Sequence, residues 1–225
     1  MKLKKKFTKH MLKEDRLVTT TFQLTEFVQN HTRQILIGVA GFVTILVVIF
    51  FVFQSKGSVH KKAAELYGQG IIELKTGNPQ LAAFNFRTVV DRYPGSDLAP
   101  MACFQLANTA FFLKDYAQAA NYYKQYVDKY SKLDTLLTAS AWAGMGSSQE
   151  ALHNHNVAGD FYFKAATLVP GSFMAPQYLI SAGRAYISAK NKIKALECYQ
   201  KIFYQYPLST QITMARKEQA QAANL

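Results

Sequence analysis

Two hydrophobic patterns divide the chain. The first is the stretch QILIGVAGFVTILVVIFFVFQSK at 34–56, in which residues 35–53 carry no charge. The second begins near residue 59, where apolar positions recur every three or four residues and short segments such as TGNPQ at 76–80 and LHNHN at 152–156 interrupt them. About 20 apolar residues at 1.5 Å rise each cross the roughly 30 Å hydrocarbon core, so the first pattern predicts one transmembrane helix. The second predicts amphipathic helices paired through tight turns. The expected fold class is all-α throughout.

The apolar run reads as an uncleaved signal-anchor. The region before it is too long for the basic leader of a signal peptide, and FFVFQSKGS lacks a small-x-small cleavage site. No Cys closely follows, which argues against a lipid-anchored form. The predicted organisation is therefore a basic cytoplasmic segment at 1–33, an anchor at 34–54 and a helical domain at 59–225. Lys2, Lys4, Lys5, Lys6, Lys9, Lys13, Arg16 and Arg33 precede the run, and only Lys56, Lys61 and Lys62 follow it closely. The excess of positive charge on the N-terminal side predicts that side in the cytoplasm and the long domain outside. Between them, Leu17, Thr21, Leu24 and Val28 share one helical face. That face suits either an interfacial helix on the inner leaflet or a helical lead-in to the anchor.

Internal repetition is the strongest signal in the long domain. YPGSDLAP at 93–100 returns as VPGSFMAP at 169–176. The set Leu66, Gly70, Ala82, Phe86 and Pro94 recurs as Cys103, Ala107, Ala119, Tyr123 and Ser131, then as Trp142, Gly146, Ala158, Tyr162 and Pro170. A fourth set is Leu179, Gly183, Ala195, Tyr199 and Pro207, the offsets being 37, 39 and 37 residues. A small residue four after a bulky one lets a second helix approach the first closely, so Gly146 is expected where two helices cross. Ala followed by an aromatic four later gives the second helix its matching face, and Pro ends it. Pro100 and Pro176 suit the first turn of the following helices. In LSTQITMARKEQAQAANL, at 208–225, Ser209 or Thr210 is expected to cap a last, increasingly polar helix.

This large–small–small–aromatic–Pro pattern resembles the tetratricopeptide repeat, a helix–turn–helix unit of about 34 residues. The resemblance covers 60–207, and Ser131 in place of Pro is its clear departure. It implies an α-solenoid of four repeats closed by a C-terminal capping helix. A basic N-terminus, a single anchor and a small repeat domain together resemble the membrane-anchored ancillary subunits of the bacterial SecYEG translocon. That architecture implies a periplasmic scaffold whose partners are translocon subunits, exported chains or periplasmic chaperones. The rival reading is an envelope scaffold for cell division, cell-wall enzymes or outer-membrane assembly. An outward-facing organellar import receptor would require the opposite orientation.

In this family the groove lies on the first helices, one residue after the bulky position and one after the small one. Carried onto this chain, those positions are Tyr67, Phe104, Ala143 and Ile180, then Ile71, Asn108, Ser147 and Arg184, with Phe111 and Phe112 near the same face. Such a groove would take an extended or helical peptide, with Arg184 available for a carboxylate and open to charge reversal without loss of the fold. The alternative for Phe104, Phe111 and Phe112 is packing between helices. The lysines of the family's chaperone-tail clamp are absent.

Charge and candidate chemistry change this picture little. Of the net +12, the first 34 residues supply +5 and the rest +7. The excess in the long domain is diffuse, so no nucleic-acid partner is expected. Cys103 and Cys198 lack metal spacing and read as small core residues. No phosphate loop, His-Glu-x-x-His or nucleophile elbow is present, and no enzyme activity or cofactor is expected. His153 and His155, with Glu150 and Asp160 nearby, could be written as a metal site, but they fall in a turn where exposed His and Asn are ordinary.

Overall fold

A computed structural model describes the backbone of residues 9–224 and the side chains of 20–34, 36–47, 50 and 57–224. Nine helices and no strands occur among the described residues. They fall into two compact units, Met1–Gly57 and Ser58–Leu225. Helix α1 (Lys9–Lys75) contributes residues to both.

In the first unit, α1 kinks at His31, whose φ of −118° and ψ of 16° leave the helical region. The side chains there compete for the backbone. His31 Nδ1 donates to the Phe27 carbonyl at 3.0 Å while its ring stacks on Phe27 at 4.5 Å, and Thr32 Oγ1 donates to the Val28 carbonyl at 2.7 Å. Such back-bonding from side chains bends helices. Among the described residues, no helix is long and apolar enough to cross a membrane. The expected span at 34–54 is therefore not found as one. Of the run, the described side chains are those of 34, 36–47 and 50. The side chains of Ile35, Val48, Ile49 and 51–54 lie outside the described residues, as do those of Leu17 and the lysine cluster at 2–6.

The second unit is a stack of helix hairpins. The end of α1 pairs with α2 (Pro79–Arg92), α3 (Ala99–Phe112) with α4 (Tyr116–Tyr130), and α5 (Thr135–Ala151) with α6 (His155–Leu168). Helix α7 (Ala175–Ser188) pairs with α8 (Lys192–Gln205), and α9 (Ile212–Ala223) closes the row. Aromatic residues of the second helices lie on glycines of the first. A Cβ added at Gly70 would sit 2.6 Å from the Phe86 ring, at Gly146 2.9 Å from Tyr162, and at Gly183 2.5 Å from Tyr199. Gly146 thus lies at the helix crossing where the sequence places it. The repeats also interlock, since Gly144 faces Tyr123 and Gly159 faces Tyr186 in the same manner.

All four hairpins share one turn. Gly77, Lys114, His153 and Lys190 each adopt positive φ, at 84°, 63°, 61° and 56°. The next residue's amide, from Asn78, Asp115, Asn154 or Asn191, returns to a carbonyl five residues earlier at 2.8 to 2.9 Å. Together with the bond from the positive-φ residue itself, this is the Schellman closure of a helix C-terminus. LKDY at 113–116 and AKNK at 189–192 therefore make the same turn as TGNP and LHNH, although they contain no Gly or Pro.

A second turn links successive hairpins. The Ser96, Ser172 and Ser209 amides donate to Tyr93, Val169 and Tyr206 carbonyls, and each hydroxyl accepts from the amide two residues on at 3.2 Å. Ser209 is thus a turn residue ahead of α9 and not its cap, which is Gln211. Pro100 and Pro176 occupy the first turn of α3 and α7. Where Ser131 replaces Pro, Asp134 caps α5 instead, accepting from the Leu137 amide at 2.9 Å.

Left-handed backbone costs a side-chain-bearing residue about 1 kcal/mol that glycine avoids. Lys114→Gly and Lys190→Gly should each raise stability by about that amount. Gly77→Lys should lower it to a similar degree, read by thermal melting of the full chain.

Candidate functional site

Helix α3 touches α5, and α7 touches α9, so the first helices of successive hairpins form one layer. The residues expected to line a groove lie on this layer. The tyrosine hydroxyls of the second helices reach across to it. Tyr123 donates to Asn108 Oδ1 at 2.6 Å, and Asn108 in turn donates to Gln105 at 3.2 Å. Tyr162 donates to Glu150 Oε2 at 2.9 Å and pairs with Ser147 Oγ, also at 2.9 Å. Tyr199 donates to Glu218 Oε2 at 3.2 Å, and Arg184 holds the other oxygen of that carboxylate at 2.6 Å.

These contacts explain the polar residues after the small positions. A buried hydroxyl without a partner is costly, so each Tyr requires a polar group where its ring ends. In the first hairpin the aromatic is Phe86, which has no hydroxyl, and the corresponding residue is Ile71. Burial pushes the Tyr123 phenol up to about 12 and raises those of Tyr162 and Tyr199, so all three remain neutral donors.

The layer is consequently less open than the sequence implies. Ile180 is 0% exposed and belongs to the core, so it is not a groove residue. Arg184 is not free for a ligand carboxylate, because Glu218 of α9 already occupies it through Nη2 at 2.6 Å and Nε at 2.7 Å. The pair lies in a half-open setting, with Arg184 47% and Glu218 12% exposed at the side chain. Asn108 and Ser147 are half-buried and committed to tyrosines. Phe104 meets Tyr123 and Tyr126 edge-on, with centroids 5.7 Å away, and Phe111 meets Tyr116 at 5.2 Å. Tyr67 lies 5.6 Å from Phe86. Phe104, Phe111 and Tyr67 therefore serve packing while remaining partly accessible, as does Ala143. Phe112, at 72% exposure, is the open aromatic of the set.

Glu218 is the important residue that the repeat pattern misses. It lies in the polar tail, outside the recurring register, and carries no signal beyond being an acid on the last helix. Asp160, named in the sequence only as a neighbour of His153 and His155, has a structural role that the pattern also misses. It accepts from Tyr186 of α7 and Lys194 of α8, each at 2.6 Å, and so ties three helices together. Burial pushes its carboxyl up, but those bonds and the Lys194 charge outweigh it and hold the group below the usual range.

The expected chemistry finds other roles. His153 is the left-handed residue of its turn and meets His155 edge to face at 5.9 Å. Among the described residues, no three His, Cys, Asp or Glu gather as a metal set. Cys103 and Cys198 are buried free thiols, pushed up to about 12 by desolvation and hence protonated.

Comparison with known proteins agrees with this geometry. A tetratricopeptide repeat family model matches residues 66–96 and 102–132. A tetratricopeptide repeat protein from Parabacteroides merdae ATCC 43184 is similar in structure over 73% of this chain and 61% of its own, at 15% identity and TM-score 0.59. Nearly identical repeats of a putative kinesin light chain from Podosopora anserina align over 71% and 84%, at 12% identity and TM-score 0.56. BtubC (BKLC) from P. vanneervenii aligns over 72% and 65%, at 16% identity and TM-score 0.54. This chain thus spans less than two thirds of the first and third. No curated protein sequence matches the chain. At these identities the likeness shows the fold, a tetratricopeptide-type solenoid.

The pairing of Arg184 with Glu218 reverses the expectation for charge reversal at that position. Arg184→Glu would set two carboxylates together at α9, costing about 1–3 kcal/mol. Hydrogen exchange should show α9 amides losing protection first, with α3 and α4 unchanged.

Proposed function

We propose that this chain is a non-enzymatic protein–protein interaction scaffold, tethered to a bacterial inner membrane with its repeats on the periplasmic side. In this reading it is ancillary to protein export through the Sec translocon or to periplasmic chaperones. The observation that carries the interaction role is the tetratricopeptide-type solenoid itself, whose matched repeats are of a kind that serves protein contacts. Tyr67, Ile71, Phe104, Phe111 and Phe112 supply its partly open apolar surface, with Asn108 and Ser147 as polar fixtures. A peptide there would gain affinity from the aromatic edges and would meet Asn108 and Ser147 only by sharing them with tyrosines.

The tether rests on the sequence. Residues 35–53 contain no charge, and an eight-to-three excess of Lys/Arg over acids precedes them. The described side chains of the run are consistent with a lipid-facing helix, for Leu36, Ile37, Phe42 and Ile45 are all exposed large hydrophobics. Water is a poor solvent for such a surface.

Two experiments address the two parts. A photo-crosslinker placed at Phe112 or Asn108 of the membrane-resident chain should capture translocon subunits, exported chains or periplasmic chaperones. Capture of cell-division or cell-wall proteins would replace that reading with the envelope-scaffold one. A reporter fused after Leu225 should be active only outside the cytoplasm, and activity confined to the cytoplasm would contradict the orientation.

A further inference from the structure

The C-terminal inter-hairpin turns form an apolar surface that the fold does not require. The turns at 169–175 and 206–212 repeat the serine-bonded backbone of 93–99. In the first of these turns the tip residues are Gly95 and Asp97. In the later two, Phe173 stands where Asp97 does and Leu208 stands where Gly95 does, with 89% and 98% of their surface exposed. The same backbone is thus built without either apolar tip. Large side chains held in water at such positions point to something that covers them.

Between these tips lies a cleft of about 800 Å³, lined by Phe173, Tyr206, Pro207 and Leu208 among others. It adjoins two smaller ones. One shares Pro170, Gln205 and Tyr206 with it and ends at Lys201. The other shares Pro207 and ends at Arg216. No Asp or Glu lines any of the three. Lys201 lies over the Phe163 ring at 5.1 Å, and neither it nor Arg216 belongs to an ion pair among the described residues.

We propose that this line of clefts is a second docking surface, separate from the first-helix layer, and that it takes an extended peptide segment with a central bulky apolar residue and acidic residues at both ends. The apolar centre covers Phe173 and Leu208, while the flanking carboxylates meet Lys201 and Arg216. Charge complementarity selects this occupant. The chain's own N-terminal segment is excluded on the same ground, because Lys2, Lys4, Lys5 and Lys6 share the sign of the two cations.

The test uses the full chain in mild-detergent micelles and two labelled peptides, one with a Phe-Leu centre between acidic ends and one with Lys in place of each acid. Fluorescence anisotropy should show the acidic peptide binding more tightly, with an affinity that falls as salt is added. The double substitution Phe173→Asp and Leu208→Gly copies the first turn of this same chain, so it preserves the backbone, and it should weaken binding about tenfold or more. Lys201→Glu with Arg216→Glu should abolish the preference between the peptides. Equal binding of both peptides, or binding indifferent to the double substitution, would overturn the proposal. So would self-association in sedimentation that Phe173→Asp with Leu208→Gly abolishes without any peptide binding, which would assign the surface to a second copy.

Discussion

The contact on which the repeat unit depends is an aromatic ring lying directly on a glycine. Phe86 on Gly70, Tyr162 on Gly146 and Tyr199 on Gly183 bring the two helices of a hairpin closer than any side chain at the glycine would permit. The same device joins neighbouring hairpins, through Tyr123 on Gly144 and Tyr186 on Gly159. Close-packed interiors tolerate neither a void nor an added methylene well, so these contacts fix the spacing of the stack. The rings that make them are almost completely buried, and little surrounds them that can yield.

The chemistry of the first-helix layer follows from that packing. A tyrosine packed at these crossings ends in a hydroxyl among the first helices, where it must find a partner. Asn108, Ser147 with Glu150, and Glu218 meet that need. The last is supplied by the capping helix, so closure of the solenoid and satisfaction of its final tyrosine are one event. Arg184 balances the charge of Glu218 and thereby belongs to the cap. A partner approaching this layer meets aromatic edges and amides already engaged, and shape and apolar contact are what it has left to recognise.

The repeat register was legible in the sequence because it rests on size. Small and aromatic residues recur at fixed offsets, and the helices, their pairing and the crossing at Gly146 follow from them. The turns at Lys114 and Lys190 were not legible, since a left-handed lysine has no compositional mark and is held there by the helix ends around it. The site was read only in part. Counting positions along the chain finds the layer, but it does not separate Ile180, which faces the core, from Phe112, which faces outward. Nor does it find Glu218, whose role depends on a fold that returns the tail to Tyr199.

Helix α1 contains, two residues apart, a glycine that is needed for space and one that is not. A Cβ at Gly68 meets nothing within 4 Å, whereas one at Gly70 lies 2.6 Å from Phe86. Thermal unfolding of Gly68→Leu and Gly70→Leu compares them directly. Gly68→Leu should leave stability unchanged or raise it by up to about 1 kcal/mol, through helix propensity. Gly70→Leu should lower stability by about 1–3 kcal/mol, through overpacking. A Gly70→Leu variant that melts no lower than Gly68→Leu would show that the ring-on-glycine contact does not set the helix spacing.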